Sequence, residues 1–95
     1  MTKEDILNYL KEHKEEFAKR YGVKDIALFG SYARDDAKED SDIDIFVKME
    51  PDLFKLIGLK QEIEENLQKN VDIIREHNNL KPFFLKIIKK DMIYV

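Results

Sequence analysis

Apolar residues recur along the chain at two spacings, one typical of helices and one typical of strands. Five of them follow the helical spacing and predict a first helix over about residues 3–21: Ile6, Leu7, Leu10, Phe17 and Tyr21. Thr2 and Asp5 form a capping-box pattern at its start, and Gly22 is a typical helix end. The run 26–29 then has the continuous apolar character of a strand that is buried on both faces. A second, short helix is expected to begin at Ser31, whose hydroxyl suits an N-cap.

The middle of the chain predicts a loop, a strand and a longer helix. Residues 35–42 carry little apolar content and predict a surface loop, whereas 43–49 are rich in β-branched and aromatic residues and predict a second strand. Pro51 stops that strand, and apolar residues at helical spacing then predict a helix over about 52–69, in which Gly58 is a tolerated weak point.

The last quarter of the chain predicts one further strand, one helix and a short edge strand. Residues 71–74 form the strand, Pro82 is suited to the first turn of the helix, and 92–95 suggest the edge strand. We expect Phe83 and Phe84 to lie mainly in the core, and we take either one that is exposed as a candidate interface residue. The alternation of helices and strands predicts an α/β fold, and leaves the strand order open because the connection between the first two strands is short and half polar.

Length and composition limit the classes of protein to consider. With 95 residues, of which 43% are hydrophobic, we expect residues 1–95 to form a single domain. The chain has 17 basic and 20 acidic residues and a formal charge of −3, which argues against general nucleic-acid binding. It has no Cys, so disulfides and thiolate metal sites are excluded. No apolar run approaches the roughly 20 residues of a membrane span, and the acidic start does not resemble a signal peptide, so a cytoplasmic location is expected.

Three carboxylates are the candidates for chemistry. Asp42 and Asp44 are two residues apart at the start of the second predicted strand, so both side chains point to one face. Asp72 interrupts the third apolar run and would join them from a neighbouring strand. Like charges this close are costly unless a cation lies between them, and a hard divalent ion held by oxygen ligands meets that need. Taken without the rest of the chain, the same residues would more often be solvated carboxylates of an edge strand.

A second motif, Gly30-Ser31, precedes this pair by ten residues. Glycine lets the backbone approach a phosphate closely, and a helix beginning at Ser31 would direct free N–H groups toward the anion. The chain has neither the Gly-Lys-Ser/Thr of a P-loop nor the Gly-x-Gly-x-x-Gly of a dinucleotide site. Arg34 either forms surface ion pairs with nearby acids or contacts the triphosphate or the acceptor.

Gly30-Ser31, ten residues and then Asp42-Ile43-Asp44, with Asp72 in a short apolar strand, resemble the minimal nucleotidyltransferase group of the DNA polymerase β superfamily. The resemblance covers essentially the whole chain in order of elements. It implies a small mixed sheet of three to four strands flanked by helices, the nucleotidyltransferase fold. Asp35 departs from the family pattern, in which glycine often follows the Arg. An Asp can adopt a left-handed backbone at some cost, so the geometry of this loop stays open.

The resemblance also implies an activity and a partner. It implies two Mg²⁺ ions on Asp42, Asp44 and Asp72, with ATP as the substrate and the triphosphate held at Gly30 and Ser31. Many members of the group resemble antitoxins whose partner is a helical HEPN-type toxin, and some transfer AMP to a tyrosine of that partner. The expected function is therefore transfer of AMP from ATP to an acceptor hydroxyl, with Asp72 as a general base or as a metal ligand only.

Two other functions remain open at this level. The chain could neutralise a partner by binding alone, although the intact carboxylates argue against a decayed site. It could also act on a small molecule or RNA, but such relatives carry further substrate-binding segments for which 95 residues leave little room.

Overall fold

The computed structural model describes residues 1–95 and consists of four helices and four strands that alternate along the chain. In order they are α1 (Lys3–Tyr21), β1 (Val23–Phe29), α2 (Gly30–Ala33), β2 (Ile43–Met49), α3 (Leu53–Leu67), β3 (Val71–Arg75), α4 (Pro82–Lys89) and β4 (Ile93–Tyr94). The fold is therefore α/β, as the alternation predicts. None of the helices has the length and apolar content that a membrane crossing needs.

The four strands form one mixed sheet in the order β3-β2-β1-β4. β1 pairs antiparallel with both β2 and β4, whereas β2 and β3 are parallel. The connections explain this arrangement. Between β1 and β2 the chain has only the single turn of α2 and a loop, and it therefore folds back on itself; between β2 and β3 the fifteen-residue α3 provides the crossover that a parallel pair requires. The relative directions of β1, β2 and β3 are thus explained by the length of each connection.

The two faces of the sheet are covered unequally. One face carries the main core, in which the sheet residues Ile26, Leu28, Ile43, Ile45 and Val47 pack with residues of α1 and α3. The opposite face has a smaller apolar cluster, formed by Ala27, Phe29 and Phe46 together with Ile88 of α4. Side chains alternate along β2, so Asp44 lies on the same face as Phe46. The carboxylates therefore lie on the less covered face.

The ends of α1 match the sequence prediction. The Thr2 side chain accepts a hydrogen bond from the Asp5 backbone, the Asp5 carboxylate accepts one from the Thr2 backbone, and Gly22 ends the helix in a left-handed conformation with φ of 70°. Asp35, where the sequence left the loop geometry open, adopts a left-handed conformation with φ of 63°. Its carboxylate accepts a hydrogen bond from Lys3 at 2.8 Å.

Three local predictions are wrong. Ser31 does not cap α2: Phe29 occupies the cap position without a side-chain hydrogen bond, and Ser31 lies within the helix. α3 ends at Leu67 because Gln68 adopts a left-handed conformation with φ of 56°. Phe83 is 75% exposed and does not belong to the core, because α4 is anchored mainly through Ile88 and the partly buried Leu85.

Candidate active site

The parallel pairing of β2 and β3 brings two of the predicted carboxylates together. Asp44 and Asp72 are directly opposite each other in the register, so their side chains leave the same face of the sheet. Asp42 immediately precedes β2 and is exposed. These three residues, which are 30 positions apart in sequence at their extremes, thus meet at one end of the sheet.

The glycine of the Gly-Ser motif lies against one of these carboxylates. Phe29, the last residue of β1, pairs with Asp44, so the chain enters α2 beside the Asp44 side chain. Gly30 has φ of 78°, and a β-carbon added there would lie 2.9 Å from Cγ of Asp44. Only glycine fits both the backbone conformation and this space. The Gly-Ser turn and the carboxylates therefore form one continuous surface.

The position of Asp44 makes its negative charge costly. Burial raises the pKa of Asp44, and the neighbouring carboxylates of Asp72 and Asp42 raise it further, while Arg34 acts in the opposite direction. A group whose ionised form is disfavoured by both burial and like charges is typical of a site that receives a cation or a substrate.

Arg34 lies at the edge of this surface and forms two ion pairs. Its Nε donates to Asp36 at 3.1 Å and its Nη1 donates to Asp91 at 3.2 Å. The side chain is about half exposed, and it is close enough to lower the pKa of Asp44. The two predictions for Arg34, surface ion pairs and contact with the triphosphate or the acceptor, are therefore compatible, because the ion pairs hold the guanidinium beside the carboxylates.

The short length of α2 changes the argument for anion binding at Gly30-Ser31. A single turn of four residues has little macrodipole, so the attraction for a phosphate would come from the individual backbone N–H groups of the turn. Ser31 is partly buried, and its hydroxyl is not used as a helix cap.

The donor chemistry suits a hard divalent cation. Carboxylate oxygens are the ligands that Mg²⁺ prefers, and a bound cation would relieve the repulsion that Asp72 and Asp42 exert on Asp44. No three His, Asp or Glu side chains form a ready-made metal cluster as they stand. The three carboxylates would therefore have to rotate toward a bound ion, which Asp42 and Asp72 are free to do because both are exposed.

A cavity of about 520 Å³ opens beside Asp44 and Asp72 at the β3 edge of the sheet, and residues of α3 and Phe84 of α4 contribute to its lining. Six apolar residues line it: Phe29, Leu56, Ile57, Ile73, Ile74 and Phe84. Sequence reasoning missed its α3 and α4 walls by assigning their apolar residues to the core. A signal was present, because Leu53, Phe54, Leu56, Ile57 and Leu59 occupy more of the α3 circumference than one buried stripe can use.

Residues 10–95 match the family model described as a nucleotidyltransferase domain. The chain is 41% identical over 97 residues to the protein adenylyltransferase MntA of Thermococcus cleftensis, an alignment that covers 100% of this chain and 97% of the relative. It is 42% identical over 96 residues to a candidate protein adenylyltransferase of Methanocaldococcus jannaschii, covering 99% and 98% of the two chains.

Solved structures give the same family of folds. The chain superimposes on a structure described as a minimal nucleotidyltransferase with a TM-score of 0.78 and 33% identity, covering 98% of this chain and 95% of the other. It also resembles a chain in the crystal structure of a toxin–antitoxin with AMP-PNP, with a TM-score of 0.68 and 21% identity, covering 99% and 72%. The latter likeness concerns the fold alone.

Proposed function

Because this chain belongs to the nucleotidyltransferase domain family and is therefore a transferase, we propose that it transfers AMP from ATP to a hydroxyl group of a partner protein. The observation that carries the proposal is the pairing of Asp44 with Asp72, with Gly30 packed against the Asp44 carboxylate. This arrangement joins a backbone turn suited to phosphates and a set of carboxylates suited to cations on one surface. Residues 1–95 act as one domain in this proposal, and the reaction takes place in the cytoplasm.

The roles of the residues follow from their positions. The backbone of Gly30 and Ser31 binds the β and γ phosphates of ATP, and Arg34 neutralises part of their charge. The acceptor oxygen forms a bond to the α-phosphorus, the bond from that phosphorus to the bridging oxygen breaks, and pyrophosphate leaves. The proton of the acceptor hydroxyl passes to Asp72 or to water.

The catalytic carboxylates Asp42, Asp44 and Asp72 would hold two Mg²⁺ ions. Such ions, when bound, neutralise the triphosphate and stabilise the attacking and leaving oxygens of an in-line displacement. The carboxylates keep these oxygens in line because Asp44 and Asp72 are fixed on adjacent, hydrogen-bonded strands.

The proposed acceptor is a tyrosine of a helical HEPN-type toxin. The name MntA, carried by the relative from Thermococcus, also occurs in the description of a toxin–antitoxin crystal structure whose fold this chain shares, and AMP-PNP is present in a related structure. The exposed apolar residues of α3 and α4, among them Phe54 and Phe83, support a protein partner, since large apolar side chains this exposed are typical of interaction surfaces.

The decisive test is the intact mass of the candidate toxin after incubation with this protein, ATP and Mg²⁺. The toxin should gain the mass of one adenylyl group, and peptide mapping should locate it on a tyrosine. Asp44→Asn should abolish the gain. Asp25→Asn is the matched control, because Asp25 is also a partly buried strand carboxylate but pairs with Lys48, away from the Gly-Ser turn.

Two outcomes would contradict the proposal. A stable complex without any mass increment would favour neutralisation by binding alone. Equal transfer by the unmodified protein and by Asp44→Asn would remove Asp44 from the chemistry.

A further inference from the structure

We propose that the cavity at the β3 edge of the sheet is the acceptor subsite, and that it selects an aromatic hydroxyl by enclosing the ring while the oxygen meets Asp44 and Asp72. The inference rests on the proposed function and deepens it, because it assigns to named residues the choice between a phenolic and an aliphatic acceptor.

The location of the cavity separates it from the phosphate side of the site. Its lining includes Asp44 and Asp72 but none of Gly30, Ser31 and Arg34. Gly30 packs directly against the Asp44 carboxylate, so the two carboxylates form the boundary between the Gly-Ser turn and the cavity. A group transferred across this boundary would travel from the turn toward the cavity. The cavity is therefore on the side from which an acceptor must approach.

The chemistry of the lining matches a ring with a single polar end. Apart from the two carboxylates, Lys60 is the only polar residue among the nine that line the cavity. Lys60 is the one cationic side chain in the lining, so the cavity offers a triphosphate few donors, whereas the backbone N–H groups of the Gly30-Ser31 turn lie outside it. A phenol places its ring against Ile57, Ile74 and Phe84 and leaves its hydroxyl at the carboxylate end.

The apolar walls of the cavity are also partly exposed to solvent in the chain by itself. Ile57 is 44% exposed and Phe84 is 39% exposed, although both contribute to the cavity. An aromatic acceptor would remove this apolar surface from water, whereas the short side chain of serine or threonine would leave it hydrated. A difference of one methylene in an apolar pocket already changes specificity by about 10-fold or more, so a whole ring should discriminate at least this strongly.

Binding can be tested without any turnover. Protein with labelled isoleucine methyl groups would be titrated with N-acetyl-tyrosinamide, with N-acetyl-serinamide, and separately with Mg²⁺ and AMP-PNP. The tyrosine compound should shift the methyl signals of Ile57 and Ile74, and the serine compound should not. The nucleotide analogue should shift the backbone amides of Gly30 and Ser31. The proposal would be overturned if AMP-PNP shifted the methyl signals of Ile57 and Ile74 and prevented the tyrosine compound from binding. The cavity would then bind the nucleobase.

Function is tested with a pair of variants on one helix. Ile57→Trp fills the cavity, and Gln61→Trp adds the same bulk one turn later on α3, at an exposed polar residue that does not line the cavity. Ile57→Trp should raise the KM for the protein acceptor about 10-fold or more while the Kd for AMP-PNP stays within twofold. Gln61→Trp should leave both values within twofold. Ile57→Ala keeps the cavity open and is the second variant if Ile57→Trp proves unstable. It should raise the KM for the protein acceptor by a smaller factor than Ile57→Trp.

The outcomes also separate this inference from the proposed function. Unchanged acceptor KM in Ile57→Trp, with transfer intact, would refute the acceptor subsite and leave the transferase proposal standing. Binding of the tyrosine compound at Ile57 and Ile74 without transfer by the unmodified protein would support the subsite and contradict the proposed reaction.

Discussion

Replacing Gly30 by alanine should damage the site much more than it damages the fold. Two costs are expected. The left-handed backbone, with φ of 78°, costs an alanine about 1–2 kcal/mol. In addition, the new β-carbon would overlap Oδ2 of Asp44 and lie 2.9 Å from its Cγ, well inside the 3.4 Å at which an ordinary contact begins, so the carboxylate has to move by roughly 1 Å.

Gly22 supplies the matched control for the backbone cost. Its φ is 70°, and a β-carbon there meets nothing within 4 Å. Gly22→Ala should therefore lose about 1–2 kcal/mol of stability, with AMP transfer nearly unchanged. Gly30→Ala should lose a similar amount or slightly more, yet lower transfer on the order of 100-fold, because a misplacement near 1 Å of a reacting group has an effect of this size.

The assay combines thermal melting with the rate of AMP transfer, measured well below the melting temperature of each variant. Carbon-13 NMR of the aspartate carboxylates reports the movement of Asp44 independently of activity. Equal rates for the two alanine variants, or an unshifted Asp44 signal in Gly30→Ala, would refute the argument that Gly30 is required by the proximity of this carboxylate.

Three further predictions concern stability. Asp44→Asn should raise the melting temperature near neutral pH while it abolishes transfer. The reason is that the folded-state pKa of Asp44 is raised, so that its ionised form destabilises the fold above pH 3.8. A lower melting temperature in calorimetry would argue against this. Thr2→Ala removes the capping box of α1 and should cost about 1 kcal/mol, seen as a drop of about 4–8 °C in melting temperature. Burial and the Glu62 hydrogen bond raise the pKa of Tyr21 above 10.0, so its contribution to stability is present below pH 10 and declines as the pH rises further. In urea titrations across this range, the free energy of unfolding of Tyr21→Phe should fall less steeply with pH than that of the unmodified protein.

Local features of the fold were predictable because their signals lie within a few residues. The capping box and Gly22 defined α1 at both ends, and the β-branched run 43–49 gave β2 its observed bounds. The left-handed conformation of Asp35 is one that a short polar side chain can adopt, but the sequence by itself left it open.

Features that depend on contacts between distant segments were only partly predictable. The sequence placed Asp72 on a strand neighbouring Asp44, but not directly opposite it, because that register comes from the parallel pairing of two strands joined by α3. The residues of the cavity were missed for the same reason: the apolar spacing of α3 and α4 identifies apolar faces but not how much of each face the sheet covers. Gly58 is another example, since a β-carbon there would lie 3.1 Å from the Tyr21 ring, so this glycine lets α1 and α3 approach each other.

Because Asp44 pairs with Asp72, the site is complete only when β3 has the correct register against β2. If β3 slipped by a single residue against β2, Asp72 would turn to the opposite face, toward the apolar layer of α1 and α3, and Val71 or Ile73 would lie opposite Asp44. A buried, unpaired carboxylate is strongly destabilising, so such a chain would be both inactive and short-lived. A molecule with the slipped register and a buried Asp72 would therefore be prone to degradation. It would not persist as a folded but inactive competitor for the partner.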